Sequence, residues 1–338
     1  MRPWAALALA LVLVPAAASR PAGSKIQVPP GFRAETFARG LSQPTAMAWG
    51  PDGRLYVTET NGRIIALRAG KPPRLFARGL SVPLGLTWRG RTLYVSEQGR
   101  IETLRLQARG SVVRRLLVTG LPYGRHQQDT ILSGRDGRLY LGSGSTCDVC
   151  RERDRRSAAV LSMRPDGSDL RVVATGMRNP FGLAFQPGTH RLYASVNGQD
   201  LLGTKNDPEP AEMVVVVRKG QWYGWPTCWP SARLLRLVGD CKGAATPAAY
   251  LAPHSSADGL AFWRRDLYVA EWGQYDSNRF GRRVVRIQLN RRGNARRVSV
   301  FASGFDHPLA LAVDRRGALL VADWGRGVIY RIQSLGGA

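Results

Sequence analysis

Lysine is nearly missing from this chain. Of its 49 basic residues only Lys25, Lys71, Lys205, Lys219 and Lys242 are lysines, so arginine carries almost all of the formal charge of +25. The arginines are scattered through turns and cluster on no helix or arm. A nucleic-acid partner is therefore not expected despite the charge, and a solvated basic surface is. Helical periodicity is also scarce, and there is no charge-dominated tract of the kind that keeps a chain unfolded. No glycine-rich fingerprint follows a strand and opens a helix, which disfavours NAD. Beyond the first twenty residues no apolar run is long enough to cross a bilayer, so stable membrane insertion is not expected. What is present is length, 338 residues with 44% hydrophobic content. That is enough for two ordinary domains or one large all-β domain.

The first residues, "MRPWAALALALVLVPAAAS", place Arg2 ahead of an apolar stretch from Trp4 to Val14 and the small residues Ala16, Ala17 and Ala18. This is the pattern of a secretory signal peptide over 1–18. A linker over 19–30 and a single domain over 31–334 follow, and the mature protein is expected in the periplasm or outside the cell. Export bears on Cys147, Cys150, Cys228 and Cys241. Four cysteines allow three pairings, and "CDVC" also reads as a redox motif or half of a zinc site. An oxidising compartment favours two local bridges, Cys147–Cys150 and Cys228–Cys241.

Six segments repeat one pattern of apolar strand, turn and second strand: "PTAMAWGPDGRLYVTE", "PLGLTWRGRTLYVSE", "QDTILSGRDGRLYLGS", "PFGLAFQPGTHRLYASV", "ADGLAFWRRDLYVAE" and "PLALAVDRRGALLVAD". They align on Leu55, Leu93, Leu139, Leu192, Leu267 and Leu319, spaced by 38 to 75 residues, with an insertion after the fourth. A third strand signal follows each pair, as in "GRIIALRAG" or "GVIYRIQ". Six such units predict an all-β, six-bladed β-propeller. The stretch "GFRAETFA" is expected to add a strand to the last blade and close the ring.

In a propeller the entry to each innermost strand and the exit from the next lie on one face. Counting back from the repeated strand gives Ser42, Ser81, His126, Arg178, about Ser255, and Asp306 as equivalent positions. Four residues past each leucine stand Glu59, Glu97, Ser143, Val196, Glu271 and Asp323. His126 and Arg178 thus face one funnel from adjacent blades, with Asn179 next door. An imidazole takes a proton near neutral pH, and a guanidinium stabilises developing negative charge. That pair suits alcohol oxidation or lactone hydrolysis. His254 is a weaker second candidate, whereas His190 and His307 read as turn and packing residues.

The runs "HQQDTILSGRDGRLYLGSGSTCDVC", "GMRNPFGLAFQPGTHRLYASVNGQD" and "RKGQWYGWPTC" resemble the soluble glucose/sorbosone dehydrogenase family over about residues 30–332. The resemblance implies a six-bladed propeller that uses pyrroloquinoline quinone (PQQ) with calcium to oxidise a sugar or related alcohol or aldehyde. It makes His126 the general base and Arg178 the charge stabiliser. Asn179 and Gln127 stand among the cofactor contacts, and Lys205, Arg283 and Arg326 are candidates for the quinone carboxylates by funnel position. The corresponding metal loop, "VNGQDLLGTKNDPEPAEM", offers the carbonyls of Gly198 and Gln199 and a carboxylate from Asp200, Asp207 or Glu212. A sugar is the implied substrate, and an acidic protein could accept the electrons.

This chain departs from the family at three places. It reads Ser145 where an aspartate ordinarily supports the histidine, Val196 where sorbosone-type members carry Asp, and Ala211 ahead of Glu212. Two other readings therefore stay open. One is a metal-dependent propeller lactonase with Glu59, Glu97, Glu271 and Asp323 as axial ligands; the other is a binding propeller with a degenerate cofactor site. "QWYGWPTCWP" reads either as a stacking surface or as a wedge between blades, while Trp272 and Tyr275 sit on a funnel-side loop suited to stacking.

Overall fold

A computed structural model describes residues 25–107, 111–200, 209–274 and 278–336. The described residues contain strands and turns and no helix. Six four-stranded antiparallel sheets follow one another along the chain. Blade 1 covers 44–77, blade 2 covers 85–118, blade 3 covers 128–175, blade 4 covers 183–253 and blade 5 covers 257–303. Blade 6 combines 308–334 with the N-terminal strand Phe32–Ala38, which pairs with Val328–Ser334 from Phe32↔Ser334 onward. The ring therefore closes by the strand read from "GFRAETFA". The chain joins the fold slightly earlier than expected: Ile26 is buried in the core between blades 5 and 6, and Gln27 bridges to Ser303.

The repeat is the core. The aligned leucines of five blades are fully buried, and Leu192 is 4% exposed. Each second strand alternates between two apolar inter-blade layers, so period-2 patterning on both faces makes these strands almost continuously hydrophobic. The insertion after the fourth repeat forms a hairpin, Cys228–Ser231 against Arg236–Gly239. Both expected disulfides are present, Cys147–Cys150 and Cys228–Cys241, and no cysteine is free. The signal-peptide residues lie outside the described residues. No helix among those described is long and apolar enough to cross a membrane.

Candidate active site

One device recurs on the face where the inner strands begin. Glu59 accepts the backbone N–H of Ser42 at 2.7 Å and pairs with Arg63 at 2.7 Å. Glu97 does the same for Ser81 and Arg100, and Asp323 accepts the amides of Asp306 and His307, each at 2.9 Å, with Arg326 nearby. Glu271 pairs with Arg283 at 2.6 Å. Each carboxylate is almost wholly buried. A buried carboxylate must be compensated by charge or hydrogen bonds, and each of these four is paired with an arginine of its own blade, although Glu97 Oε1 and Glu271 Oε1 have no hydrogen-bond partner. They act as loop clamps, each engaged with an arginine rather than standing free at the axis. Arg283 and Arg326 belong to the same clamps, which gives the structure no reason to assign them to a cofactor.

Blades 3 and 4 lack the clamp, because Ser143 and Val196 occupy its place. These are the blades whose loops carry His126 and Arg178. Their loops are held instead by a ladder of backbone bonds. His126 N donates to Ser145 O at 2.9 Å, Gly144 N to Gln127 O at 2.8 Å, Ser145 N to Arg178 O at 2.7 Å and Asn197 N to Asn179 O at 3.1 Å. Gly144 is required there: a Cβ would stand 2.3 Å from the His126 Cβ and 2.5 Å from Asn179 Oδ1. The residues expected at the centre of the site are thus brought together.

His126 is partly buried, and its Nδ1 lies 3.0 Å from Ser145 Oγ. Burial, reinforced by the charge of Arg178, pushes its pKa down to about 3, so the ring is neutral at ordinary pH. Arg178 is buried and bonds Asp148 Oδ1 and Asp200 Oδ2, each at 2.6 Å. Arg125 reaches the same Asp200 oxygen. Burial works against the Asp200 carboxylate, but Arg178 and Arg125 outweigh it and hold its pKa below the usual value. Asp148 also receives the Asp200 amide at 3.0 Å on its carboxylate, while its carbonyl takes the Trp225 indole N–H at 3.1 Å. Asp148 and Arg125 were not read from the sequence. "CDVC" drew attention to its cysteines, and Arg125 was one arginine among many.

Asn179 donates to Asn197 Oδ1 at 2.7 Å, and its own Oδ1 is buried without a hydrogen-bond partner. Asn197 donates onward to Asp258 at 3.2 Å. Asp258 and Asp129 flank the axis, and burial raises both carboxyl pKa values well above normal. Gln127 is buried and turns its amide to Val82 O at 2.7 Å, toward blade 2. Gly198 N donates to Glu212, whose other oxygen accepts Ser256 N at 3.2 Å. Burial pushes the Glu212 pKa up to about 8. The Gln199 amide nitrogen bonds Pro226 O at 3.0 Å, which leaves Gln199 Oε1 buried and unmatched. Lys205, Asp207 and Tyr275 lie outside the described residues.

Trp272 packs on His307 with ring centroids 3.9 Å apart and joins Phe181, Leu309, Leu84 and Trp324 in an apolar cluster at the axial mouth. Trp222 and Tyr223 wedge between strands, with Trp222 close against Gly176 and the Tyr223 hydroxyl accepting Arg218 N at 3.0 Å. His254 packs beside Phe280, and His190 lies exposed in the turn between Leu183–Phe185 and Leu192–Val196.

The oxygens around Gly198, Gln199 and Glu212 suit a hard cation, which takes carbonyls, amide oxygens and carboxylates alike. The unmatched Gln199 Oε1 is the observation that favours such an ion. A flat, polyanionic quinone is suited by the cations Arg178 and Arg125, with aromatic surface at Trp272.

A family model described as TrAA12-like matches residues 26–239. The Trichoderma reesei enzyme of carbohydrate-active family AA12 superposes with a TM-score of 0.82 at 16% identity, covering 94% of this chain and 100% of that one. The PQQ domain of pyranose dehydrogenase from Coprinopsis cinerea gives 0.81 at 19%, covering 93% and 98%. The PQQ-bound aldose sugar dehydrogenase of Streptomyces coelicolor gives 0.73 at 22%, covering 91% and 100%. At these identities the likeness is one of fold. An uncharacterised protein of Borreliella burgdorferi is 24% identical over 226 residues, which span 60% of this chain and 58% of that relative's length.

Proposed function

Because the chain belongs to the TrAA12-like family, we propose that it is an exported sugar oxidoreductase that uses PQQ and calcium. The observation that carries this reading is the pairing of His126 with Arg178 on the two blades that have given up the carboxylate clamp. The imidazole is unprotonated and so available to accept a hydroxyl proton from a sugar carbon that is losing hydride; burial and Arg178 lower its basicity, while the same fixed cation would stabilise negative charge on the substrate oxygen. PQQ, when bound, supplies the two-electron acceptor.

Within that reading the chain's own residues divide the work. His126 takes the hydroxyl proton on Nε2. Arg178 stabilises negative charge gathering on the reacting oxygens, and Asp148 and Asp200 hold its guanidinium in place. Arg178, Arg125 and Asn179 would hold the quinone, with Trp272 offering an aromatic face. The carbonyls of Gly198 and Gln199, with Glu212, would hold calcium; Lys205 and Asp207 remain candidates on sequence grounds. The two disulfides favour an oxidising compartment, periplasmic or extracellular. The substrate is a sugar or a related alcohol or aldehyde, and a separate electron-acceptor protein completes the cycle.

The test is reconstitution of purified protein with PQQ and calcium, followed by dye reduction across a panel of aldoses and sorbosone, beside His126→Ala. Sugar-dependent reduction that needs both additions and collapses in the variant supports the proposal. Absence of quinone binding at saturating calcium overturns it. Lactone turnover without quinone would move the hydrolase reading ahead.

A further inference from the structure

The support beneath His126 is unusual in its chemistry. Ser145 is fully buried, and its hydroxyl touches two groups: His126 Nδ1 at 3.0 Å and the carbonyl oxygen of Cys147 at 2.6 Å. Two oxygens at 2.6 Å need a proton between them, and a carbonyl has none to give. The Ser145 proton must therefore point at Cys147. Only lone pairs remain toward the ring, so the histidine has to be the donor in the other contact. A neutral imidazole carries one N–H, and placing it on Nδ1 leaves Nε2 bare.

We infer that Ser145 is a positioning residue that fixes the Nδ1–H tautomer of His126, and that the disulfide-closed loop Cys147–Cys150 makes this possible by holding the acceptor carbonyl in place. The same loop carries Asp148, the partner of Arg178. One short bridged loop thus steadies both the base and the cation of the site. A carboxylate in this position would reach the same tautomer by attraction. Here a neutral hydroxyl does so because its proton is already bound elsewhere. The tautomer inference rests on the hydrogen-bond geometry of Ser145 around a ring that is uncharged at neutral pH; its catalytic meaning rests on the function proposed above.

The experiment is long-range 1H–15N correlation on histidine-labelled protein at neutral pH, which distinguishes Nδ1–H from Nε2–H without any turnover. His126 is assigned among the four histidines by the signal lost in His126→Ala. The wild-type protein is expected to show Nδ1–H. Ser145→Ala should shift the ring toward Nε2–H and lower kcat about tenfold or more with KM little changed, by analogy with other groups that orient a functional histidine. Cys147→Ser/Cys150→Ser should shift the tautomer in the same direction. A wild-type ring protonated on Nε2 overturns the inference, and that reading needs no variant beyond the one used for assignment. An unshifted tautomer in Ser145→Ala overturns it as well, and an unshifted tautomer in the cysteine variant overturns the role of the loop. Should the protein prove inactive on sugars, the tautomer result still stands or falls separately.

Discussion

Arg178 and Asp148 form a buried ion pair, 2.6 Å apart, with side chains 3% and 9% exposed. It joins blade 4 to the bridged loop that follows the second strand of blade 3. Removing one partner of a buried pair leaves the other charge stranded, which costs far more than the pair contributes as a whole. Asp200 remains to share the burden, so Asp148→Ala is expected to lower unfolding stability by about 3 kcal/mol, the low end for such a loss. Urea denaturation measures it. A change below the error of that experiment would mean that Asp200 alone satisfies the arginine.

The depressed pKa of His126 makes a second prediction. Its value moves from 6.5 in the unfolded chain to about 3 in the folded one, chiefly through burial. Between these values the unfolded state binds more protons, so the stability contributed by this group rises with pH and is lost on acidification from about 6.5 downward. A His126→Gln variant lacks the effect. The stability of wild type relative to that variant should fall as pH drops from 6.5 toward 3. NMR titration of the cofactor-free protein should find the ring uncharged at pH 5. A ring that titrates near 6.5 contradicts both expectations.

Much of this architecture was legible because it repeats. Six leucines at one position in six similar segments identify blades without any knowledge of tertiary contacts, and the pseudo-symmetry that follows places His126 and Arg178 at equivalent points. Recurrence also separates scaffold from site. The acid at the end of the second strand returns as Glu59, Glu97, Glu271 and Asp323, each with an arginine in or just before the strand that follows. Read together, those pairs mark a clamp. Read singly, Arg283 and Arg326 looked available to a cofactor. Asp148 stayed hidden for a different reason: its partner lies 30 residues away on another blade, and no local pattern connects them. Asp129 and Asp258 were equally silent, since each sits inside an apolar strand signal and shows its significance only around the axis.

The clamp itself is testable. Glu59 satisfies a backbone amide and a guanidinium at once, so Glu59→Ala strips a buried donor of its acceptor and unpairs Arg63. Charged hydrogen bonds of this kind contribute roughly 2 kcal/mol each way, and a loss of about 2 kcal/mol is expected. Turnover per folded molecule should not change, because blade 1 contributes no residue to the His126–Arg178 centre. Comparing denaturation midpoints with kcat/KM separates the two. A large fall in kcat/KM with stability intact would make Glu59 part of the site.

Glu212 bears on the metal. Burial lifts its pKa from 4.5 to about 8, so the ion-free folded protein holds a proton there that the unfolded chain has released. Its effect on stability is opposite in sign to that of His126: stability from this group is full below pH 4.5 and declines as pH rises toward 8. A calcium ion bound through the carbonyls of Gly198 and Gln199 and the carboxylate of Glu212 must displace that proton, and metal binding competes with protons wherever a ligand is protonated. The rise in Tm on adding calcium should therefore grow between pH 6 and pH 8.5. In Glu212→Gln the rise should be smaller and no longer depend on pH over that range. A calcium shift in the wild-type protein that is flat with pH would remove Glu212 from the ligand set and leave the carbonyl and amide oxygens of the 198–199 turn to hold the ion.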